Sequence, residues 1–374
     1  MSLLKSQLPP RIVLPEGYKM IQSVSVTNFR GFKSLDLSNL PRFNVLIGES
    51  GSGKTAFLES LWVAAGVSPE IYFRMRALRG MAEQAFQLSA EKLSYETFFS
   101  DIFHDIPETG SPSANIQLMD SIRGSRTLKI DYDPSQQMVL NIKEPANGGS
   151  DGIRRDLVFH WNINDTIYTV PLKVNASGQI IAENLPEPFP GVFFSSSFIA
   201  GARENAERLS ISRIRGEKKK IVETIAKIFP DVEDLSSESI SGQQMIWVSM
   251  KGLRRMIPIA VVSSGVNKFI SLLLWISLNR GGVLFVDEIE NSFYFKDYEV
   301  VVRTLVEFCD AYGVQLFAAT HSWEFLKAVA KVMDTRKADL CMLRASRKQG
   351  ECTISQIEGV SSIEAINQDI EIRL

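Results

Sequence analysis

From Met20 onward apolar and polar residues alternate in short blocks. Residues 20–29 read MIQSVSVTNF, SLDL follows a turn at Gly31, and RFNVLIG (42–48) is a compact apolar run. Alternation predicts half-buried strands, and a continuous run predicts a fully buried one. The spacing then becomes helical, with Phe57, Leu58, Leu61, Trp62 and Ala65 recurring on one face. Residues 70–105 continue as helix, with aromatics at Tyr95, Phe98, Phe99 and Phe103. Between 114 and 182 the pattern changes to NIQLMDS, RTLKIDY, QMVLNIK, DLVFHW and TIYTVPLKV, separated by Gly, Asn, Asp and Pro turns. These segments predict an antiparallel sheet in the N-terminal half.

The second half alternates buried runs with longer helical stretches. A helix over 218–228 stops before Pro230, and short strands occupy 238–260. A helix from about Gly265 to Leu278 precedes the strand GGVLFVDE, and a helix from about Asp297 to Tyr312 precedes GVQLFAAT. The helix EFLKAVAKVM and the strand DLCMLRA complete the series. Such alternation predicts an α/β fold on a mixed or parallel sheet, with ligands at the carboxyl ends of its strands. Residues 1–19 read as an N-terminal extension. Residues 20–374 read as one domain in two lobes, 20–200 and 201–374. There is no internal repeat and no heptad array, so no long coiled-coil arm is expected.

Composition removes several classes. With 374 residues, 45% of them hydrophobic and 22% charged, the chain has ample material for a core. Cys309, Cys341 and Cys352 form no CxxC pair, and only His104, His160 and His321 are present. Structural zinc, a disulfide framework and a multi-histidine metal centre are therefore not expected. A net charge of −2 provides no global field toward nucleic acid. The basic run Arg213, Arg215 and Lys218–Lys220 reads as a solvated face. Without a signal peptide or an apolar stretch of membrane-spanning length, the expectation is a cytoplasmic protein with no membrane partner.

Four motifs carry chemistry. Gly48-Glu49-Ser50-Gly51-Ser52-Gly53-Lys54-Thr55 fits G-x-x-x-x-G-K-[ST] between a predicted strand and a helix. Its backbone N–H groups would cradle phosphates, Lys54 would reach the β- and γ-phosphates, and Thr55 would offer its hydroxyl to Mg²⁺. Val283–Glu288 is an apolar strand ending in two carboxylates. Asp287 would hold Mg²⁺ and Glu288 would act as general base on a water. Ala319-Thr320-His321-Ser322 follows the next apolar run, which would aim His321 at the γ-phosphate or the attacking water. Ser263-Ser264-Gly265 opens a helix and reads either as a simple N-cap or as a second phosphate-binding surface.

The order of these motifs resembles the ABC-type P-loop ATPase heads of the SMC and RecF lineage. Within that lineage it looks most like the small single-chain "AAA" ATPases of the overcoming-lysogenisation-defect (OLD) group. The residues that carry the resemblance are NFRGF (28–32), GESGSGKTAFLESL (48–61), SSG (263–265), FVDEIEN (285–291) and VQLFAATHSWE (314–324). The resemblance implies an Mg²⁺-dependent ATPase that forms a homodimer or higher homo-oligomer around ATP. Ser263, Ser264 and Gly265 of one subunit would complete the site of Lys54 in the other. It also implies a separate effector, a nuclease or toxin, in a DNA-directed or anti-phage role. DNA stays open as a direct partner. A RecF-like repair factor and an ATP-sensing scaffold with little hydrolysis are the alternatives. Three positions depart from the family pattern: Ser50 for Asn in the P-loop, Ser292-Phe293-Tyr294 for Gly-Leu-His, and Ser263-Ser264-Gly265 for Gly-Asp-Gly. Gln84 and Gln87 are Q-loop candidates by elimination only.

Overall fold

A computed structural model describes residues 21–80, 99–105, 112–132, 138–139, 153–154, 157–174, 180–187, 189–196 and 201–373. The first described elements are β1 (Ile21–Phe29), β2 (Phe32–Leu37), β3 (Phe43–Ile47), α1 (Lys54–Ala65) and α2 (Glu70–Leu78). There follow β4 (Ser113–Asp120), β5 (Gly124–Tyr132), β6 (Leu157–Ile163), β7 (Thr166–Pro171) and β8 (Gly191–Phe194). The second half contains α3 (Ala202–Ile214), α4 (Lys218–Ala226), β9 (Val232–Ile240), β10 (Gln243–Met250), β11 (Ile257–Pro258) and α5 (Ser264–Leu278). It ends with β12 (Val283–Val286), α6 (Tyr298–Tyr312), β13 (Gln315–Ala319), α7 (Trp323–Met333), β14 (Leu340–Lys348), β15 (Glu351–Glu358) and α8 (Gly359–Asn367). Two small ladders, Met138–Val139 with Ile153–Arg154 and Lys173–Val174 with Ile180–Ile181, stand apart from this numbering.

The core sheet runs β8-β12-β13-β3-β14-β15. Its first five strands are mutually parallel and β15 closes the edge antiparallel to β14. Alternate residues of each central strand feed two different cores. Val45, Leu284, Val286, Leu316 and Ala318 pack with α5, α6 and α7. Leu46, Val283, Phe285, Phe317 and Ala319 pack with α1 and the antiparallel sheet. Because both faces are covered, these strands are continuously apolar rather than alternating.

The second sheet runs β2-β1-β4-β5-β6-β7 and is antiparallel throughout. The expected antiparallel region therefore includes β1 and β2, from before the P-loop, as well as the strands that follow it. It positions α1 directly. Arg126 of β5 donates through Nε to Ala64 O at 2.8 Å and through NH2 to Gly66 O at 2.5 Å, capping the carbonyl end of α1. Glu59, 1% exposed in the middle of α1, accepts from Arg30 in the β1–β2 turn and from Arg79 Nε and NH2 at 2.8 and 2.7 Å. Gln315 at the start of β13 joins the two sheets. It accepts from Ile21 N at 2.8 Å and donates to Ile21 O and Pro41 O at 2.8 and 2.9 Å.

Two expectations change. Of the helix read over 70–105, residues Glu70–Leu78 are helical and 81–98 lie outside the described residues, whereas Ser100–Ile102 is a single 3₁₀ turn and Phe103 forms an extended bridge with Phe29. Its aromatics are spaced as on a helix, yet Phe99 and Phe103 are buried beneath β1 as packing anchors. Tyr95, Phe98, Gln84 and Gln87 lie outside the described residues, as does most of the QMVLNIK strand. Several elements were not anticipated: β8, α3, β15 and α8. The strands placed at 238–260 are a three-stranded sheet, β9-β10-β11, beginning at Val232.

Gln315→Leu keeps the side-chain volume but leaves the Ile21 N–H and C=O without this buried partner. Each orphaned group costs about 1–3 kcal/mol, so the variant should lose roughly 2–4 kcal/mol in urea unfolding. A loss below about 0.5 kcal/mol, typical of an exposed position, would contradict this account of the sheet junction.

Candidate functional site

The carboxyl ends of β3, β13 and β12 meet at one edge of the core sheet, with β13 between the other two. The loop from Gly48 to Thr55 leaves β3 there and turns into α1. Gly48, Gly51 and Gly53 have φ of 133°, 75° and 103°, values that L side chains rarely adopt. The approach is also close: a Cβ on Gly48 would lie 2.1 Å from Ala345 O, and one on Gly53 2.9 Å from Cys352 Sγ. Glu49, Ser50 and Gly51 are exposed, whereas Ser52 and Lys54 are buried. Lys54 Nζ donates to Gly48 O at 2.8 Å and Glu49 O at 2.7 Å, spanning the loop. Burial lowers the Lys54 pKa to about 8, against the opposing pull of Asp287, Glu288 and Glu290.

Thr55 Oγ1 donates to Asp287 Oδ2 at 2.8 Å, joining α1 to the end of β12. Burial raises the Asp287 pKa, partly offset by the Thr55 hydrogen bond. A hydroxyl beside a desolvated carboxylate is an all-oxygen donor set that fits a hard cation such as Mg²⁺. Glu288 is half-buried and holds a left-handed φ of 45°, uncommon for a residue other than glycine. Its carboxylate accepts from Asn291 Nδ2. His321 follows Thr320 beyond the end of β13, its backbone N–H bonded to Glu290 Oε1 at 2.8 Å. Ser263 caps α5, accepting from Val266 N at 3.1 Å, and both Ser263 and Ser264 are exposed. Gly265 is buried against the segment after Glu288, where a Cβ would lie 2.2 Å from Ser292 O.

The P-loop, Asp287, Glu288 and the His321 loop thus gather at one sheet edge. Ser263 and Ser264 belong to a separate helix end, tied to this edge through Gly265 and Lys268.

Sequence reasoning missed Lys268 and Glu290. Lys268, only 7% exposed, lies on α5 and donates to Glu288 O at 2.8 Å and Asn291 O at 3.3 Å. Burial lowers its pKa to about 8, opposed by Glu290, Glu288 and Asp287. Glu290, also 7% exposed, accepts from the N–H groups of both His321 and Ser322, while its Oε2 has no partner among the described residues. A single cation inside the apolar run VNKFISLLLWISL was a signal for the first. The third acid of DEIE was a signal for the second, because buried ionised groups are rare unless paired.

Comparison with known proteins agrees with this geometry. A family model described as "AAA ATPase domain" matches residues 20–147. One described as "AAA domain, putative AbiEii toxin, Type IV TA system" matches residues 175–327. The chain is 21% identical over 341 residues to an ATP/GTP phosphatase of Helicobacter pylori, across 84% of this chain and 88% of that protein. Over 59 residues it is 39% identical to the DNA replication and repair protein RecF of Actinobacillus pleuropneumoniae, 16% of each chain. An SMC head solved with the C-winged helix domain of ScpA shares the fold, with a TM-score of 0.52 and 13% identity over 91% of this chain and 98% of that one. No helix among the described residues is long and apolar enough to cross a membrane. The P-loop and the two AAA-type matches support an ATPase, and the core sheet gives the chain the ABC-type P-loop fold of an SMC head.

Proposed function

We propose that this ATPase is a switch: two copies close around ATP and, by closing, control a separate effector protein. The observation that best supports the hydrolytic part of the reading is the Thr55–Asp287 bond, which joins the start of α1 to the end of β12 with Glu288 next in sequence. Gly51 to Thr55 at the start of α1 would receive the phosphates, and Lys54 would exchange its two loop carbonyls for β- and γ-oxygens. Thr55 and Asp287 would hold Mg²⁺, which supplies charge neutralisation at the β- and γ-phosphates. Glu288 would accept a proton from the attacking water, and His321 would face the γ-phosphate. The exposed Ser263–Ser264 end of α5 would meet the γ-phosphate of the other copy. Lys268 on the same helix bonds the Glu288 carbonyl, so that contact and the general base belong to one connected unit.

The effector role draws support from the family matched over residues 175–327, which is described as a toxin-related AAA domain of a type IV TA system. The RecF match favours a second reading, a DNA-repair ATPase. Turnover measured with and without gapped duplex DNA separates them, since stimulation by DNA is expected only of the second.

Lys54→Ala should abolish ATP binding, because a charge-assisted contact to phosphate is lost. Equilibrium binding of labelled ATP checks this, and wild-type affinity would remove the P-loop from the argument. Glu288→Gln should retain ATP binding while turnover falls by at least about 10²-fold, the usual scale of a general-base contribution. With hydrolysis blocked, light scattering should report a dimer in ATP and Mg²⁺, by mass action on the shared ligand. Adding Ser263→Arg should return it to monomer. Normal turnover by Glu288→Gln would exclude Glu288 as base, and ATP-independent assembly would exclude the closed dimer.

A further inference from the structure

The segment after α8 reaches back to the His321 loop. Arg373 NH1 donates to His321 O at 2.8 Å. The same guanidinium is fixed by a two-point contact with Glu371, Nε to Oε1 at 2.8 Å and NH2 to Oε2 at 2.6 Å. It also lies over the Trp323 ring, 5.3 Å from the centroid. Lys327 pairs with Asp369 at 2.6 Å and holds the segment against α7.

From the other side, Glu290 Oε1 accepts from His321 N at 2.8 Å and Ser322 N at 3.2 Å. Both peptide planes that flank His321 are therefore bonded to charged side chains. The plane before it is held through the His321 N–H. The plane after it is held at both ends, the carbonyl by Arg373 and the Ser322 N–H by Glu290. Fixing those planes fixes φ and ψ of His321, and with them the direction of its Cβ. Among the described residues the imidazole itself makes no hydrogen bond, so its place depends on the backbone.

We propose that Arg373 is a positioning residue for ATP hydrolysis, setting the His321 imidazole by clamping the His321–Ser322 peptide against Glu290. The proposal rests on the reading that His321 acts at the γ-phosphate. It adds that residues 369–373, on a different part of the chain, determine how well His321 does so. Anything that draws that segment away from Trp323 would lower turnover without touching the P-loop.

The test measures kcat, KM and ATP affinity of the full chain as wild type, Arg373→Ala, Arg373→Lys, His321→Ala and the Arg373→Ala/His321→Ala double variant. Misplacement by about 1 Å can cost about 10²-fold, so Arg373→Ala should lower kcat by roughly 10- to 100-fold with ATP affinity unchanged. Arg373→Lys should be intermediate, because an ammonium reaches one acceptor but cannot also grip Glu371 at two points. Removing Arg373 should cost nothing further once His321 is alanine. Lys327→Met removes the pair with Asp369 but leaves the contacts of Arg373 with His321, Glu371 and Trp323 in place, so kcat should be unchanged.

Losses that multiply in the double variant, or an equal loss in Lys327→Met, would make Arg373 merely structural and overturn the proposal. Normal turnover by Arg373→Ala beside an impaired His321→Ala would overturn the clamp and leave the His321 reading intact. Normal turnover by His321→Ala would end both. If Arg373→Ala melts early, Arg373→Lys carries the comparison, since it keeps the cation over Trp323.

Discussion

Two lysines and three carboxylates share one desolvated edge of the core sheet, and the rest of the site follows from balancing them. Lys54 and Lys268 are each stripped of water far enough to lower their pKa to about 8. Asp287, Glu288 and Glu290 supply the opposing charge for both. A buried cation without such a partner would neutralise or relocate. The P-loop, α5 and the segment after β12 therefore have to converge, although they lie far apart in sequence. Each lysine also satisfies backbone carbonyls: Gly48 and Glu49 for Lys54, Glu288 and Asn291 for Lys268.

That convergence strains the segment between the acids. Glu288 and Ser292 take φ of 45° and 78°, and Ser292 O sits where any residue larger than glycine at 265 would collide. Non-glycine residues keep such conformations only where their surroundings over-determine them. Here the surroundings are Lys268, Asn291 and the N-terminus of α5. A movement of α5 would reach the Glu288 backbone through Lys268, as the proposed closure of two copies requires. The sequence departures at Ser263-Ser264-Gly265 and Ser292-Phe293-Tyr294 fall on the two sides of this one contact. Gly265, which both patterns keep, is the residue that the contact requires.

Much of the core sheet was legible because its strands are buried on both faces and each ends in distinctive polar residues. Val283–Glu288 and Gln315–Ser322 show this, as does the run into Gly48. The unread elements lack such signals. Helix α3 buries mainly Asn205, Ala206, Leu209 and Ser212, so no apolar stripe marks it. Strand β15 is half exposed at the sheet edge. Phe103 was misread because aromatic spacing alone does not separate a helix face from an extended segment anchored under a sheet. Lys268 and Glu290 were hidden for a different reason. Their roles are made by partners distant in sequence, a carbonyl of Glu288 and the amides of His321 and Ser322, and no local spacing reports such bonds.

The central claim is that the hydrolytic site is shared, with Lys54 and Glu288 from one copy and Ser263 from the other. Mixing two inactive variants tests it most directly. In a mixture of Lys54→Ala and Ser263→Arg proteins, each mixed dimer has one intact composite site and one doubly damaged site. The account predicts that equal amounts, inactive separately, recover a clear fraction of wild-type ATP turnover, at most about half, because each mixed dimer keeps one of its two sites. A mixture as inactive as its components would contradict it, because each site would then be built within a single chain.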